Sequence, residues 1–184
     1  MSYEQSTPIS SQIKRLGSHL PGLEESFNER GTQPKMPIST LPEFNAVIWG
    51  IHSKALTIVG ARTSQGKSSL ALQLAYDLAN QGIPTLFLSL EMTTEALIER
   101  MFCNVMKVNN RDLLRGRFKV DDEIQAKWGT FKALVSKIPL LITCGVGKNF
   151  REVNELIKLL NPKPKAIFVD YIQNIALNPK ESRE

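Results

Sequence analysis

The chain has 184 residues, of which 42% are hydrophobic and 22% charged, as in an ordinary globular domain with one core. The formal net charge of +5 is compatible with a polyanionic partner but does not require one. No segment approaches the roughly 18 apolar residues of a membrane-spanning helix, and no signal-peptide pattern opens the chain, so we expect a soluble, intracellular protein. Cys103 and Cys144 lack metal-site or CxxC spacing and are expected to be buried free thiols.

The N-terminal part has weak helical periodicity. Apolar residues recur every three to four positions over residues 9–30, but Gly17, Pro21 and Gly22 interrupt the pattern. We therefore predict a broken amphipathic helix in this region.

A segment rich in proline and turn residues follows at residues 31–55. It predicts a linker that leads into a short amphipathic segment at residues 41–49. We accordingly divide the chain into an N-terminal linker helix or segment, residues 1–33, and a compact domain, residues 34–184.

Within the compact domain, short apolar segments alternate with helical patterns. The predicted strands are residues 55–59, 84–90, 138–144 and 165–170, and the predicted helices are residues 67–80, 93–107, 110–115, 121–137 and 151–160. Strands that alternate with helices indicate a parallel sheet covered by helices on both faces. The predicted fold class is α/β.

The segment between the first predicted strand and its helix contains a glycine-bracketed loop. Gly60, Gly66, Lys67 and Ser68 match the pattern GxxxxGK[ST], in which backbone N–H groups surround phosphate oxygens at a helix N-terminus. Lys67 is expected to reach the β and γ phosphates, and the Ser68 hydroxyl to ligate Mg²⁺. The alternative, a plain tight turn, would need neither side chain. The predicted nucleotide-binding residues are Gly60, Ala61, Arg62, Thr63, Ser64, Gln65, Gly66, Lys67, Ser68 and Ser69.

Two acids follow predicted buried strands. Asp170 ends the strand at residues 165–170, where its carboxylate could hold a magnesium-bound water beside Ser68; a capping or loop role is the alternative. Glu91 follows the strand at residues 84–90, where it could orient or deprotonate an attacking water. The alternative for Glu91 is a solvated start to the next helix.

Two other features favour ordinary structural roles. The sequence CGVGKNF, residues 144–150, resembles the start of a dinucleotide fingerprint, but Phe150 occupies the place of the third glycine, so we predict a plain loop. Trp49 and Trp128 lack interleaved basic residues and are expected to be core or interface anchors.

Four segments together carry a more specific resemblance. IVGARTSQGKSSLALQLA, FLSLEMTTEALIERM, RDLLRGRF and IFVDYIQNI occur in the order and spacing of the RecA-like motor domain of DnaB-type replicative helicases, which are P-loop NTPases. The resemblance covers residues 24 to about 178, including a lead-in that is similar to the linker helix of the family. It implies an ATP-driven homo-hexameric ring that translocates on single-stranded DNA and unwinds the duplex in bacterial or phage replication, in the cytoplasm and with other replication proteins.

The resemblance also implies roles for individual residues. Lys67 and Ser68 would bind phosphate and Mg²⁺, Asp170 would organise the metal, and Glu91 would be the catalytic carboxylate. With Lys67, Glu91 forms the predicted catalytic pair.

Other residues also lie at positions of the family pattern, and structural roles are alternatives for them. Tyr171 and Gln173 match the family pattern, and core packing or sheet-edge hydrogen bonding is an alternative role for them. Arg115 and Arg117 match a basic turn that could equally be a solvated face. Gln65 replaces a usual hydrophobic residue, which is harmless if only backbone amides face the phosphates.

The end of the chain departs from the family. Glu184 follows shortly after Asp170, so the family's sensing strand, DNA-contacting loops and arginine finger have no counterpart, and its N-terminal domain is also missing. We expect a fragment in which the missing strand leaves a gap, or forces re-pairing, between the phosphate-loop strand and the Asp170 strand. Such a chain would bind nucleotide weakly and would not unwind DNA alone.

Two other functions stay open at the level of sequence. One is a different RecA-like ATPase, of the recombinase or clock type. The other is a nucleotide-gated binding module that docks on a replication ring without turnover.

Overall fold

The computed structural model describes residues 17, 20–30, 36–62 and 64–175. The chain divides into two compact units, residues 1–35 and 36–184. Most of the predicted broken helix before residue 20, and Thr63 of the predicted phosphate loop, lie outside the described residues.

The first unit contains one described helix, α1, Leu20–Arg30. Pro21 lies in its first turn, where a helix tolerates proline because the first-turn N–H groups have no intrahelical acceptor. The predicted break in the pattern before Leu20 falls largely on residues outside the described ones. Three apolar side chains of α1 are exposed: Leu20, Leu23 and Phe27.

The second unit is an α/β domain. In chain order its elements are α2 Pro42–Ile48, α3 Lys67–Asn80, β1 Thr85–Ser89, α4 Thr94–Met106, α5 Asn110–Leu114, a 3₁₀ turn Arg117–Lys119, α6 Asp122–Val135, β2 Leu140–Cys144, α7 Phe150–Leu159, β3 Ala166–Asp170 and a 3₁₀ turn Ile172–Asn174. The three strands form a parallel sheet in the order β2–β1–β3. The predicted α/β class is confirmed, as are three of the four predicted strands and all five predicted helices of this domain.

The burial of the central strand, β1, explains its continuous apolar sequence. All five residues of β1 are buried, because helices cover both faces of the strand. Phe87 faces a cluster that includes Leu72 of α3 and Leu97 of α4. Leu88 faces the opposite way and packs in a cluster with Val153 of α7. This arrangement makes β1 the core of the domain.

An aromatic group fills the space between α4 and α6. The ring of Phe102 lies 5.1 Å from Trp128 and 5.4 Å from Phe131, centroid to centroid, and Phe118 lies 6.4 Å from Trp128. Trp128 is therefore a core anchor, as predicted. Trp49 is 66% exposed, so the core alternative for that residue is wrong.

The strand predicted at residues 55–59 does not form. Leu56 is 87% exposed and Ile58 82%. The physical reason is that a strand needs a hydrogen-bonded neighbour, and the described residues supply none here. β1 is the one described strand paired with β3, and Ile167 on β3 remains exposed. Among the described residues β3 is therefore an edge strand, and the predicted gap is not tested because the phosphate-loop strand on its far side does not form.

The segment before α2, which falls within the predicted compact domain of residues 34–184, is packed against that domain from Met36 onward. Met36 and Ile51 form an antiparallel bridge, in which the Ile51 N–H donates to the Met36 carbonyl at 2.8 Å. Gly50, with φ of 82°, lies against this bridge, and a Cβ there would approach the Met36 carbonyl oxygen to 2.7 Å. The segment thus belongs to the packed domain.

Asp77 of α3 also binds the segment before α2. Its carboxylate accepts hydrogen bonds from the Ser39 hydroxyl and from the Thr40 N–H, the latter at 3.2 Å. Asp77 is 1% exposed, so this buried carboxylate satisfies its hydrogen-bonding capacity through backbone and hydroxyl donors.

The two cysteines are free, as predicted, but they are half-buried rather than buried. Burial raises the pKa of the Cys103 thiol, and the Glu99 carboxylate raises it further. Burial also raises the pKa of the Tyr76 phenol. Among the described residues, no helix is both long and apolar enough to cross a membrane.

Candidate functional site

The glycine-bracketed loop is open and exposed. The N–H of Gln65 donates to the Arg62 carbonyl at 3.2 Å, which closes a turn inside the loop. Ser64 has φ of 63° and Gly66 has φ of 85°, so both adopt the left-handed backbone that curls the chain before the helix. A Cβ at Gly60 or Gly66 would meet nothing within 4 Å. The loop therefore borders free space that a ligand could occupy.

The start of α3 faces the same space. Gly66 is the N-cap residue, and the first intrahelical bond runs from the Leu70 N–H to its carbonyl at 2.9 Å. The N–H groups of the first turn have no acceptor within the helix, and the helix dipole adds positive potential there. Lys67, Ser68 and Ser69 are half-buried at this terminus. Such a helix start is suited to bind an anion.

Asp170 lies beside this helix start at the end of β3. Its Oδ1 is 3.5 Å from Nζ of Lys67, and its side chain is 3% exposed. Among the described residues, its Oδ2 has no hydrogen-bond partner. A buried carboxylate oxygen without a partner is uncommon in a native structure, and oxygen atoms of this kind are the ligands that Mg²⁺ prefers.

The donor set therefore fits a magnesium ion held together with a bound phosphate. The described residues contain no group of three histidine, cysteine or acidic side chains that could hold a metal by themselves. A site built from Ser68, Asp170 and ligand oxygens agrees with the habit of Mg²⁺, which keeps few protein ligands.

Glu91 lies in a turn directly after β1. The Ser89 hydroxyl oxygen accepts hydrogen bonds from the Met92 N–H at 2.8 Å and from the Glu91 N–H at 3.4 Å. The next helix begins later, because Thr93 is the N-cap of α4 and its hydroxyl accepts from Ala96 N–H. Glu91 is thus an exposed residue of the turn and not the first residue of the helix.

The Glu91 turn is also joined to β3. The Leu90 N–H donates to the Asp170 carbonyl at 2.8 Å, and the Asn174 side-chain amide donates to the Leu90 carbonyl at 3.3 Å. Ser89 and Asp170 are register partners in the parallel sheet. The structure therefore brings Glu91, Asp170 and Lys67 to one end of the sheet.

Tyr171 makes a contact that the sequence did not predict. Nζ of Lys67 lies 3.8 Å from the centroid of the Tyr171 ring, within the range of a cation–π contact. Gln173 is exposed in the 3₁₀ turn that follows β3. Ring contacts of this kind depend on side-chain direction, which residue spacing does not reveal.

The basic turn after α5 is a surface ion-pair group. Arg117 lies 3.2 Å from Asp112 and 3.3 Å from Asp121, and both Arg115 and Arg117 are exposed. These contacts agree with the solvated-face interpretation. Exposed pairs of this type stabilise a fold only slightly.

The loop after β2 is the plain loop that was predicted. Gly147 has φ of 76°, and the following helix begins with a capping box between Asn149 and Glu152. A Cβ at Gly145 would approach a terminal carbon of the Leu88 side chain to 2.8 Å, so a larger residue here would require that side chain to shift.

Sequence reasoning missed two residues that support the site. The signal for Ser89 was available, because serine beside a strand end commonly accepts from N–H groups two or three residues later. Asn174 gave no signal, because its contact with Leu90 spans 84 residues of sequence.

The fold and the site together define a class of protein. A parallel α/β sheet, a GxxxxGK[ST] loop that leads into a helix and a buried aspartate at the end of a neighbouring strand are the features of a P-loop NTPase with a RecA-like fold. Residues 38–184 match the family model described as "DnaB-like helicase C terminal domain". The chain belongs to this family.

Comparison with known proteins agrees. Replicative DNA helicase DnaB of Treponema pallidum (strain Nichols) is 31% identical over 128 residues, which cover 67% of this chain and 28% of that protein. Replicative DNA helicase DnaB of Synechocystis sp. (strain ATCC 27184 / PCC 6803 / Kazusa) is 24% identical over 173 residues, 90% of this chain and 19% of that protein. The chain therefore spans less than a third of the length of either relative.

Two solved structures show the same fold. One is a solved ATPase domain, which superimposes with a TM-score of 0.73 at 20% identity, over 92% of this chain and 62% of that one. A DnaB-like replicative helicase, solved in a study of its interactions with primase, gives a TM-score of 0.78 at 19% identity, over 93% of this chain and 42% of that one. The predicted RecA-like architecture is confirmed.

Proposed function

We propose that this chain is the ATP-binding and ATP-hydrolysing motor region of a replicative DNA helicase. The observation that carries the proposal is the approach of Lys67, at the start of α3, to within 3.5 Å of the buried Asp170 at the end of β3. The two groups that a P-loop NTPase uses for phosphate and for metal thus meet beside an open glycine loop.

Each residue of the site has a proposed role. The backbone N–H groups of residues 60–69 bind the phosphates, and Lys67 reaches the β and γ phosphates as a cation. Ser68 and Asp170 hold Mg²⁺, which when bound neutralises developing charge on the phosphoryl oxygens. Glu91 orients the attacking water and accepts its proton. The orphaned Oδ2 of Asp170 supports the metal role, because a metal or its water would satisfy it.

The larger assembly is proposed from the family and not from this chain's geometry. We infer a homo-hexamer that acts on single-stranded DNA, together with other replication proteins, in the cytoplasm during bacterial or phage replication. The relatives named DnaB replicative helicase support this inference. The net charge of +5 is compatible with a nucleic-acid partner.

The proposal is tested by steady-state ATP hydrolysis of the full-length protein with and without single-stranded DNA. Lys67→Ala should lower the hydrolysis rate by roughly 100-fold or more, because a charge that stabilises the transition state is lost. Lys132→Ala, which changes an exposed lysine on α6, is the matched control and should leave the rate unchanged. Hydrolysis that survives in Lys67→Ala would refute the proposal.

The binding-module alternative predicts nucleotide binding without turnover. Glu91→Gln distinguishes the two functions, because it keeps the shape of the side chain and removes its basicity. In a motor the variant should bind ATP normally and hydrolyse it about 100-fold or more slowly. If the wild-type protein binds ATP with no turnover and Glu91→Gln changes nothing, the module is the correct function.

A further inference from the structure

Two side chains of the described residues contact the ammonium group of Lys67. Nζ lies 3.5 Å from Oδ1 of Asp170 and 3.8 Å from the centroid of the Tyr171 ring. The Lys67 side chain is 27% exposed and that of Asp170 3%. Because the carboxylate is buried and the lysine side chain is only partly exposed, both the ion pair and the cation–ring attraction are stronger than they would be on an open surface.

Asp170 and Tyr171 are consecutive residues at the end of β3, and both reach the same ammonium. The ion pair leaves Oδ2 of Asp170 without a hydrogen-bond partner among the described residues. Lys67 therefore compensates the buried carboxylate only in part, and the Tyr171 ring supplies a second attraction that keeps the lysine in this position.

We propose that Tyr171 is a positioning residue for Lys67: its ring, together with Asp170, holds the ammonium while no nucleotide is bound. This inference rests on the proposed function. Nucleotide binding then becomes an exchange, in which the ammonium leaves the ring and the carboxylate for the phosphate oxygens. The departure of the ammonium exposes Asp170 to the cation that accompanies the nucleotide.

The exchange predicts the direction of a mutational effect. Attraction that stabilises only the nucleotide-free protein opposes binding, so removal of the Tyr171 ring should strengthen the binding of nucleotide. The free energy of attraction between a cation and an aromatic ring corresponds to about 2- to 30-fold in affinity. A variant that merely damaged the site would change affinity in the opposite direction.

The test is calorimetric titration of the full chain with ADP in EDTA, so that no divalent ion takes part. Tyr171→Leu removes the ring and should bind ADP about 2- to 30-fold more tightly than the wild type. Tyr171→Phe keeps the ring and should bind ADP with the same dissociation constant as the wild type. Ile172→Ala, at an adjacent and exposed position, is the control and should bind as the wild type does.

The outcomes separate this inference from the proposed function. If the wild-type chain releases no heat with ADP either in EDTA or with Mg²⁺, the proposed function is wrong. If the wild type binds ADP and Tyr171→Leu binds equally or less tightly, the function stands and the role of Tyr171 is refuted.

A second measurement applies if Tyr171→Leu is too unstable for titration. Urea unfolding of nucleotide-free protein is compared for wild type, Lys67→Met, Tyr171→Leu and the double variant Lys67→Met/Tyr171→Leu, all at the same low temperature. Loss of the ring should destabilise the protein more when Lys67 is present than when methionine replaces it. Equal losses in both backgrounds would overturn the proposal.

Discussion

The residues on the two sides of Gly66 form contrasting regions. After it, α3 is densely packed: Leu72 and Leu78 are at most 1% exposed, and Asp77 is buried with its hydrogen-bond donors. Before it, residues 55–62 form no regular element and Leu56 is 87% exposed. Both regions have apolar sequences that predict regular structure, and only one of them forms it.

The difference shows that a helix and a strand have different requirements. A helix satisfies its backbone hydrogen bonds within its own residues and needs only one face covered. A strand must receive its hydrogen bonds from a neighbour, so an apolar segment without one stays exposed. Among the described residues, β3 has an open edge and residues 55–59 have no strand partner.

The largest effect is expected in the packed region. Leu78→Ala should lower the free energy of unfolding by about 2–5 kcal/mol, because it removes a fully buried side chain and leaves a cavity. Urea denaturation followed by circular dichroism measures the change. A loss below about 1 kcal/mol would mean that α3 is not packed as described.

Asp77→Ala tests how the segment before α2 is attached to α3. Removal of the carboxylate removes the hydrogen bonds from the Thr40 N–H and the Ser39 hydroxyl, and should destabilise the domain by about 1–3 kcal/mol. The same unfolding assay applies, and Ser39→Ala, which removes one donor and keeps the carboxylate, should have a smaller effect. Equal effects of the two variants would show that the carboxylate does not organise this contact.

Thr93→Ala tests the start of α4, which follows the Glu91 turn. The Thr93 hydroxyl accepts the Ala96 N–H, and loss of such a cap typically lowers stability by about 1 kcal/mol. Thr130→Ala, in the exposed middle of α6, is the control. It should cause no loss of stability, since alanine is the better helix former. Similar losses in both variants would argue against the cap.

Leu56→Ala is the counterpart of Leu78→Ala in the exposed region. The same substitution should change the free energy of unfolding by less than about 0.5 kcal/mol, because a side chain that is 87% exposed leaves no cavity. A loss comparable to that of Leu78→Ala would show that the segment is packed, and the contrast between the two regions would disappear.

Much of this fold followed from local patterns. The helix predicted at residues 67–80 has the same bounds in the structure, because Gly66 caps its start and its apolar residues face the sheet. The buried strand β1 and the partly exposed strand β3 followed from continuous or near-continuous apolar sequence. The placement of Glu91 and Asp170 at one end of the sheet followed from parallel strand order, because the carboxyl ends of parallel strands lie at the same edge.

Other features depended on contacts between distant residues. The contact of Lys67 with the Tyr171 ring depends on rotamers, and that of Asn174 with Leu90 on how two turns approach each other. The segment that begins at Met36 has the composition of a linker, but the buried Asp77 and the bridge to Ile51 join it to the domain.

The sequence by itself determined the α/β class, the phosphate-type loop and the positions of the helices, because these depend on interactions between residues a few positions apart. Only the tertiary structure decided which apolar segment became a strand and which neighbours Lys67 acquired. Sheet hydrogen bonds and side-chain contacts join residues far apart in the chain, so they form only where the fold brings both partners together.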